Sequence, residues 1–516
     1  MNKESIRLQK VEESSTLAMA ALAREYKVKG EDVISLSLGE PDFKTPKHIC
    51  DGAKEAIDSG KYFSYPPVAG YLDFREEISR KFIEENGLKY DPSQIIVSNG
   101  VKHSITNVMF SILNKDDEVI VFSPFWVSYS AIITLAEGKP VYINTSIENN
   151  FKPTEEQLKS AISKKTKAII FSSPCNPTGT VFSRDDLKKY RDILIDHPNI
   201  LIISDEIYEH INFTDKHCSF GSLDGMIERT ITMNGFSKSF AMTGWRLGYI
   251  GAPKNIAKSI NKMQGQTTSA NCSIAQRAGI SALRAGNESA IHMKESYLKR
   301  RDIVFEKLNE ISHLNVNLPE GAFYFFPEIN KTIGLKSHKG KEIQTSNDLA
   351  MYLLEDAKIS LVPGEDFGAP NCIRLSYAAS EDELIEACKR LKNSIENSFR
   401  VTIDKIFTKA KKLNVIVVGD SMLDSYKIGS VTRQSPEADV PIVDIEKKSK
   451  KLGGAANVIL NLKQLGINPI LCSVIGDDEN GREIISLLKK NNLETGGIII
   501  DNSRKTTVKE LSLIHI

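Results

Sequence analysis

Five short apolar segments alternate with amphipathic helical patterns between about residues 91 and 233. They are QIIVS (94–98), EVIVFS (118–123), AIIFSS (168–173), ILIIS (200–204) and TITM (230–233). Near-continuous apolar strands separated by helices are typical of a parallel sheet that helices cover on both faces. The pattern therefore predicts an α/β fold with a mostly parallel sheet.

Two further regions follow this predicted sheet. After residue 287 a long charged helix precedes the segments GAFYFFPEI and CIRLSYA, which indicate a smaller α+β domain. Residues 389–412 carry eight lysines or arginines without Gly or Pro, and we interpret them as a helix end and a helical connector. We expect one enzyme unit over 1–396, with a large domain at about 45–286 and a small domain from 1–44 and 287–396. A linker over 397–412 and a separate unit over 413–516 complete the prediction.

Charge and cysteine content limit the class of protein. Lys plus Arg total 67 and Asp plus Glu 66, so the net charge of +1 gives no reason to expect a nucleic-acid partner. The sequence contains no run of eighteen apolar residues and no apolar leader, which argues against a membrane span or a signal peptide. The seven cysteines are dispersed without a C-x-x-C pair. This distribution predicts a cytoplasmic protein with no structural metal site.

Chemically reactive side chains follow the predicted strands. Ligands of parallel α/β sheets bind beyond the carboxyl ends of the strands, where all these side chains would meet. The segments that follow the five strands are Asn99–Lys102, Pro124–Trp126, Pro174–Gly179, Asp205–Tyr208 and Phe236–Lys238. Arg246 lies eight residues after Lys238, and two neighbouring cations repel unless an anion lies between them.

A single ligand accounts for all of these residues. A helix N-terminus at Gly100, Val101 and Lys102 suits a phosphate, to which Arg246 adds a two-pronged contact. The Lys238 amine could bond covalently to an aldehyde. The remaining side chains match a flat ring: Asp205 for a protonated ring nitrogen, Tyr208 and Asn176 for a phenolate oxygen, and Trp126 for stacking. Pyridoxal phosphate meets these demands.

Each residue also has an ordinary structural explanation. Asp205 could cap a helix, Trp126 could belong to the core, Asn-Pro-Thr-Gly could form a type I turn, and Gly100 could end a strand. Independent explanations at five successive strand ends are less economical than one shared ligand.

Residues 1 to about 396 resemble the class I, fold-type I aminotransferases, especially the bacterial aspartate aminotransferases. The segments that carry the resemblance are SLGEPDF (37–43), SNGVKHSI (98–105), SPFWVSY (123–129), SSPCNPTG (172–179), SDEIYEH (204–210), NGFSKSFAMTGWRLGY (234–249) and IRLSYA (373–378). The resemblance implies that Lys238 forms the Schiff base and that Ser237 joins the phosphate site. It also implies that Tyr65 reaches the phosphate of a partner subunit, hence a homodimer with shared active sites. Gly235 departs from the family, since some relatives have a serine there.

The resemblance further implies the substrates. Arg374 matches the residue that binds the α-carboxylate, and Gly39 resembles the glycine whose backbone approaches the substrate. Ser15, Thr16 and Lys102 match positions that hold the distal carboxylate of aspartate. The expected reaction is ping-pong transamination of L-aspartate and 2-oxoglutarate. Glu12 stands near where relatives that accept prephenate have arginine, so prephenate is not expected. The alternatives are an aromatic or broad-range aminotransferase, a β-lyase on the same cofactor, and a fusion whose tail recruits a partner.

The last hundred residues resemble another family. VVGDSMLDSY, VTRQSPEADVPIVDI and KLGGAANVILNLKQLG are similar to the beginning of a ribokinase-like sugar kinase. The glycines at 453 and 454 would let the backbone approach a sugar, and Asp424 and Asn457 could bond its hydroxyls. The glycines could instead be turn residues. We expect an incomplete, inactive kinase fragment from a truncated or mis-joined reading frame, because the family's catalytic aspartate and anion site lie further along.

Overall fold

The computed structural model describes residues 4–214, 216–337, 340–396, 399–400, 408–438 and 441–514. The chain divides into two compact units, Met1–Phe399 and Arg400–Ile516. The predicted connector over 397–412 lies mostly outside the described residues, although 408–410 are helical. The division of the first unit into a large and a small domain stays a prediction.

The first unit contains twelve described α-helices. They are α1 (Ser15–Val28), α2 (Lys47–Asp58), α3 (Leu72–Lys81), α4 (Val101–Ile112), α5 (Ser128–Leu135), α6 (Glu155–Ala161), α7 (Arg184–Leu194), α8 (Lys254–Gly265), α9 (Ser273–Arg284), α10 (Glu288–Asn309), α11 (Ser346–Asp356) and α12 (Glu381–Glu396). Helix α10 is the long charged helix that the sequence predicts after residue 287. Within the described residues, no helix combines the length and apolarity needed to cross a bilayer.

The strands of the first unit form one large and several small sheets. They are β1 (Ile34–Ser35), β2 (Ile95–Ser98), β3 (Glu118–Ser123), β4 (Lys139–Asn144), β5 (Thr166–Ser172), β6 (Leu201–Asp205), β7 (Thr230–Gly235), β8 (Gly248–Gly251), β9 (Tyr324–Phe325), β10 (Leu335–Lys336), β11 (Ile359–Ser360), β12 (Val362–Pro363) and β13 (Ile373–Ser376). A two-residue strand, β14 (Phe399–Arg400), stands at the division between the units.

The large sheet has seven strands in the order β2-β8-β7-β6-β5-β3-β4. Strands β3 to β7 run parallel, whereas β8 is antiparallel to both β2 and β7. The five predicted strands are all present. Strands β4 and β8 were not predicted. The mostly parallel sheet confirms the predicted fold class.

Alternate residues of this sheet enter two separate cores. Val121, Ile170 and Ile203 pack with α4 on one face, and Ile120, Ile169 and Ile202 pack with α7 on the other. Burial of an aliphatic side chain of this size contributes about 1.5–3 kcal/mol, so both faces favour helical cover. Because helices cover both faces of the sheet, the loops that connect strands and helices meet at the strand ends.

A smaller sheet lies beside the large one within the first unit. It has the order β12-β13-β9 with antiparallel pairing, and β1 pairs with β11 in parallel. Strand β13 carries Arg374, and the neighbouring strand β9 begins with Tyr324. The segments predicted for the α+β region thus do form strands, and two of their polar side chains face the active-site region described below.

The second unit has its own core. Its elements are α13 (Ala455–Gln464), α14 (Glu479–Lys490), β15 (Asn414–Val418), β16 (Ser421–Gln434), β17 (Pro441–Gly454), β18 (Asn468–Gly476), β19 (Ile498–Asp501) and β20 (Thr507–Ile514). They form two three-stranded sheets, β15-β18-β19 and β17-β16-β20. A side chain at Gly453 would place its Cβ 2.7 Å from Asp424 Oδ1. Glycine therefore allows the Asp424 carboxylate to lie against the neighbouring strand. All seven cysteines of the chain are free thiols.

Candidate active site

A cavity of about 330 Å³ lies at the carboxyl ends of the parallel strands. Most of the predicted site residues line it: Thr16, Gly39, Val101, Lys102, Trp126, Asn176, Asp205, Tyr208, Ser237, Lys238, Arg246 and Arg374. The reason is topological, because parallel strands deliver the residues that follow them to the same sheet edge. Arg374 comes from the smaller sheet, and Thr16 and Gly39 come from the N-terminal segment.

One end of the cavity carries positive charge. Helix α4 begins after Gly100, which has φ +78°, and the first N–H groups of a helix carry a positive partial charge. A Cβ at Gly100 would lie 2.6 Å from Arg246 Nη2. The absence of a side chain therefore lets the guanidinium lie against the helix N-terminus. Arg246 Nη1 donates to the Thr243 carbonyl at 2.8 Å, which holds it there.

Asp205 is the negative group at the floor of the cavity. Its carboxylate is 3% exposed and accepts hydrogen bonds from the Tyr129 hydroxyl at 2.7 Å and the Ile207 N–H at 3.3 Å. Burial raises the pKa of Asp205 to about 6, although these two hydrogen bonds oppose the rise. A cationic partner on the cavity side would stabilise the ionised form of this buried carboxylate.

Lys238 follows β7 and projects into the same cavity. Its Nζ donates to the Gly39 carbonyl and lies 5.8 Å from the ring centroids of Tyr208 and Phe323. Burial is the main cause that lowers the pKa of Lys238, to about 8; Glu40 opposes this and Arg374 adds to it. An amine with this pKa can be a nucleophile or a base near neutral pH.

The Gly235 backbone leaves little room for a larger residue. A Cβ at this position would lie 3.0 Å from Gly248 Cα and 3.2 Å from Ile207 Cδ1. The close approach of β8 therefore accounts for the glycine that stands where some relatives have serine.

Tyr208 is held by a residue that the sequence argument missed. Its hydroxyl lies 2.7 Å from that of Tyr324, and both side chains are buried. A Cβ at Gly39 would lie 1.9 Å from the Tyr324 hydroxyl, so glycine is required at that position. Burial raises the pKa of Tyr208 well above its ordinary value.

Arg374 is a buried cation with room for an anionic ligand. It is 2% exposed, and its guanidinium donates to Asn176 Oδ1 at 2.9 Å and to the Ser37 carbonyl at 2.6 Å. The guanidinium also stacks on Tyr324, with 4.6 Å to the ring centroid, and its Nε has no hydrogen-bond partner. Among the described residues, no carboxylate pairs with it. A buried arginine without a counter-ion favours a bound carboxylate.

Lys102 and Thr16 occupy another part of the cavity wall. Lys102 Nζ lies 5.1 Å from the Trp126 ring centroid, and burial together with Arg246 lowers its pKa. The Thr16 hydroxyl is buried without a hydrogen-bond partner in the described structure. Both groups are available to a second anionic group of a ligand.

Three predicted residues do not line the cavity. Gly100 lies against the Arg246 guanidinium and is not part of the cavity wall. Ser15 donates its N–H to Asp366 Oδ2 at 2.9 Å, and its buried hydroxyl has no partner among the described residues. Tyr65 is 97% exposed, so it does not reach the site of its own chain.

The cavity also contains functional groups that the sequence argument did not select. Tyr129 lies within the quoted segment SPFWVSY, but only the register of the first turn of α5 brings its hydroxyl to Asp205. Tyr324 lies within GAFYFFPEI on the smaller sheet, and nothing in that segment indicates its contact with Tyr208.

The mostly parallel sheet, with a cavity at its strand ends that gathers Lys238, Asp205, Arg246 and Arg374, defines the class of enzyme. A family model for aminotransferase class I and II matches residues 31–391, and the chain belongs to this family. A second model, for the pfkB family carbohydrate kinases, matches residues 412–513, so the second unit is a PfkB-like α/β region.

Individual relatives cover nearly the whole first unit. An aspartate aminotransferase of Bacillus subtilis is 42% identical over 385 residues, which are 74% of this chain and 96% of that protein. A probable aspartate/prephenate aminotransferase of Rickettsia bellii is 42% identical over 392 residues, 76% of this chain and 98% of that protein. The crystal structure of the aspartate aminotransferase from Rhizobium meliloti aligns with a TM-score of 0.74 and 38% identity, over 77% of this chain and 100% of that one. These matches confirm the predicted family.

Proposed function

We propose that the first unit catalyses pyridoxal-phosphate-dependent transamination of L-aspartate and 2-oxoglutarate to oxaloacetate and L-glutamate. The observation that supports this most is the Arg374 guanidinium, which is buried without a carboxylate partner in the described structure and opens onto the cavity that holds Lys238. All transamination substrates carry an α-carboxylate, the anion that a planar guanidinium binds in a bidentate manner. Relatives named aspartate aminotransferase at 42% identity support the substrate.

The residues of the cavity fit pyridoxal phosphate. The α4 N-terminus with Arg246 and Ser237 would hold the phosphate, and Asp205 would hold a protonated ring nitrogen. When bound through Lys238, the cofactor supplies an electron sink for negative charge at the substrate's α-carbon. Trp126 would cover one face of the ring, and Tyr208 and Asn176 would bond its oxygen.

Lys238 moves the proton in this proposal. Its amine, once freed by the incoming amino acid, would act as the base that accepts the proton from the α-carbon of the substrate. A base of pKa about 8 matches this task near neutral pH. Gly39, whose carbonyl accepts from Nζ, would keep the amine beside the reacting carbon.

Steady-state kinetics test the proposal. Initial rates with aspartate and 2-oxoglutarate should give parallel double-reciprocal lines, because the first product leaves before the second substrate binds. Converging lines would contradict it. Arg374→Lys should reduce kcat/KM for every amino acid, since a lysine cannot reproduce the bidentate contact.

Arg300 is the matched control for this variant. It is also a buried arginine, but it pairs with Asp42 at 2.8 Å and lies outside the cavity. Arg300→Lys should leave kcat/KM within about twofold of the wild-type value, since it keeps the charge beside Asp42. Equal losses in the two variants would contradict the α-carboxylate role of Arg374.

Other reactions on the same cofactor give different products. A β-lyase would release pyruvate and ammonia from cystathionine without any 2-oxo acid, which we do not expect. Some relatives are named aspartate/prephenate aminotransferases, as in Cereibacter sphaeroides. Because this chain has Glu12, we propose that prephenate is a poor amino acceptor. An arogenate yield comparable to the glutamate yield would overturn that part.

We also propose a cytoplasmic homodimer with shared active sites. Tyr65 and Phe63 are 97% and 71% exposed and lie outside the cavity of their own chain. This is the placement expected of residues that contribute to the active site of a partner subunit. A mixture of Tyr65→Ala and Lys238→Ala proteins, refolded together, should regain activity that neither variant has alone. A monomer in sedimentation analysis, or no regained activity, would contradict the dimer.

A further inference from the structure

A buried polar layer lies outside the candidate active site, and two of its members, Glu206 and Asn234, are close in the chain to Asp205 and Lys238. Its members are no more than 8% exposed and come from α3, β7 and the segments that follow α3 and β6: Lys81, Asn86, Glu206, Glu209, Ser219 and Asn234. His217 adjoins the layer, with Nε2 at 2.9 Å from Glu206 Oε2. None of these residues lines the cavity.

This layer carries its own counter-ions. Lys81 Nζ contacts Glu209 and donates to Asn86 Oδ1 at 2.8 Å. The ligating atoms of Glu206, Glu209 and His217 lie within 4.8 Å of one another, but the Lys81 ammonium already neutralises Glu209. Burying charged groups stabilises a fold less than apolar residues of similar volume would. The remaining contacts of Glu209 show which neighbours this buried charge orients.

Those contacts lead to the strand that carries Lys238. Asn234 Nδ2 donates to Glu209 Oε1 at 2.7 Å, and Asn234 Oδ1 accepts from the Gly235 N–H at 2.7 Å. An ionised carboxylate only accepts hydrogen bonds, so Glu209 forces the amide nitrogen of Asn234 toward itself. The amide oxygen must then face Gly235, which ends β7 three residues before Lys238.

On the basis of the proposed function, we propose that Asn234, oriented by Glu209, is a positioning residue that sets where the Lys238 amine stands in the cavity. Glu209 and Asn234 touch neither the cavity nor the reacting atoms. They act through the backbone of residues 235–238. Because a displacement of about 1 Å in a reacting group can slow catalysis by up to about a hundredfold, the effect falls on kcat.

Asn234→Ala tests the inference, because it removes both hydrogen bonds and leaves every cavity residue in place. We expect kcat for aspartate to fall about tenfold, with KM within about twofold of the wild-type value. We also expect the pH midpoint of the absorbance change of the Lys238-bound cofactor to shift by about half a unit or more. A loss of stability alone would not move that midpoint.

Tyr90→Phe is the matched control. The Tyr90 hydroxyl is buried and bonds the same strand, at Thr230 and Thr232, with 3.1 Å to each. It does not reach residues 234–238, so this variant should lose stability without a change in the midpoint or in kcat. If Asn234→Ala behaves like Tyr90→Phe, the positioning role is overturned.

A charge-balanced pair of substitutions tests the part played by Glu209. Glu209→Gln alone would leave the buried Lys81 with Glu85, at 3.6 Å, as its remaining counter-ion and could prevent folding. The double variant Lys81→Met, Glu209→Gln removes both charges, and a glutamine can donate or accept. Asn234 then loses its fixed orientation, so the midpoint should shift in the same direction as in Asn234→Ala. If the double variant has the same midpoint as the wild-type protein, the role of Glu209 is overturned. If the wild-type protein itself carries no cofactor on Lys238, the proposed function is overturned instead.

Discussion

Lys102→Met should convert the site from one that favours aspartate to one that does not. The Lys102 ammonium lies 5.1 Å from the Trp126 ring centroid and has no acidic partner in the described part of the chain. Burial and the nearby Arg246 lower the pKa of Lys102, because both disfavour its charged form. An anion beside the ammonium would stabilise that form. A distal carboxylate of the substrate would supply that anion.

The magnitude follows from the contact that is lost. A hydrogen bond to a charged group contributes about 1.5–3 kcal/mol, which corresponds to about a 10- to 150-fold loss in kcat/KM for aspartate. Methionine keeps the aliphatic stem against Trp126, and the Lys102 N–H at the start of α4 is unchanged. Alanine and phenylalanine have no distal carboxylate, so their kcat/KM should change by less than about threefold.

The assay is the kcat/KM of each amino acid with 2-oxoglutarate, measured for wild type, Lys102→Met and a surface control. Lys139→Met is a suitable control, because Lys139 is largely exposed and pairs only with Asp116 at the edge of the sheet. Equal losses for aspartate, alanine and phenylalanine would refute the distal-carboxylate role and indicate a general effect on the cofactor site.

Three further predictions concern ionisation. Tyr129→Phe should raise the pKa of Asp205 above about 6 and move the acid limb of the pH–rate profile upward; an unchanged limb would contradict this. In cofactor-free protein, Lys238→Met should add about 1–3 kcal/mol to the free energy of unfolding in urea at pH 7. Since folding lowers the pKa of Lys238, that advantage should shrink from pH 8 upward, and a constant difference would contradict it. Burial lowers the pKa of His217, but contact with the Glu206 carboxylate raises it, and the net shift is upward. Because folding raises this pKa, the wild-type protein should lose thermal stability as the pH rises through it. His217→Gln should flatten this decline, and a parallel decline would contradict the assignment.

The sequence carried enough information for the large sheet and for most of the cavity. Strands β3, β5, β6 and β7 are largely apolar runs bounded by turn residues, and their parallel order alone dictates that Trp126, Asn176, Asp205 and Lys238 meet. The shared sheet edge follows from the parallel direction of the strands and requires no knowledge of long-range side-chain contacts.

Other parts of the molecule required the folded structure. Strand β8 reads GYIG, and glycine has little tendency to form strands, so its antiparallel position between β2 and β7 gave no local signal. Strand β4 begins Lys-Pro, which is tolerated because it is an edge strand. The contact of Tyr324 with Tyr208 joins residues 116 positions apart, one in β9 and the other in the turn after β6. No pattern within either segment specifies that contact.

The covalent bond to Lys238 is the central claim, and chemical trapping tests it most directly. Purified protein is reduced with borohydride, digested and analysed by peptide mass spectrometry. We predict that the pyridoxal phosphate adduct is found on the peptide that contains Lys238, and that Lys238→Ala protein yields no adduct. An adduct confined to another lysine, or none after incubation with the cofactor, would contradict the account.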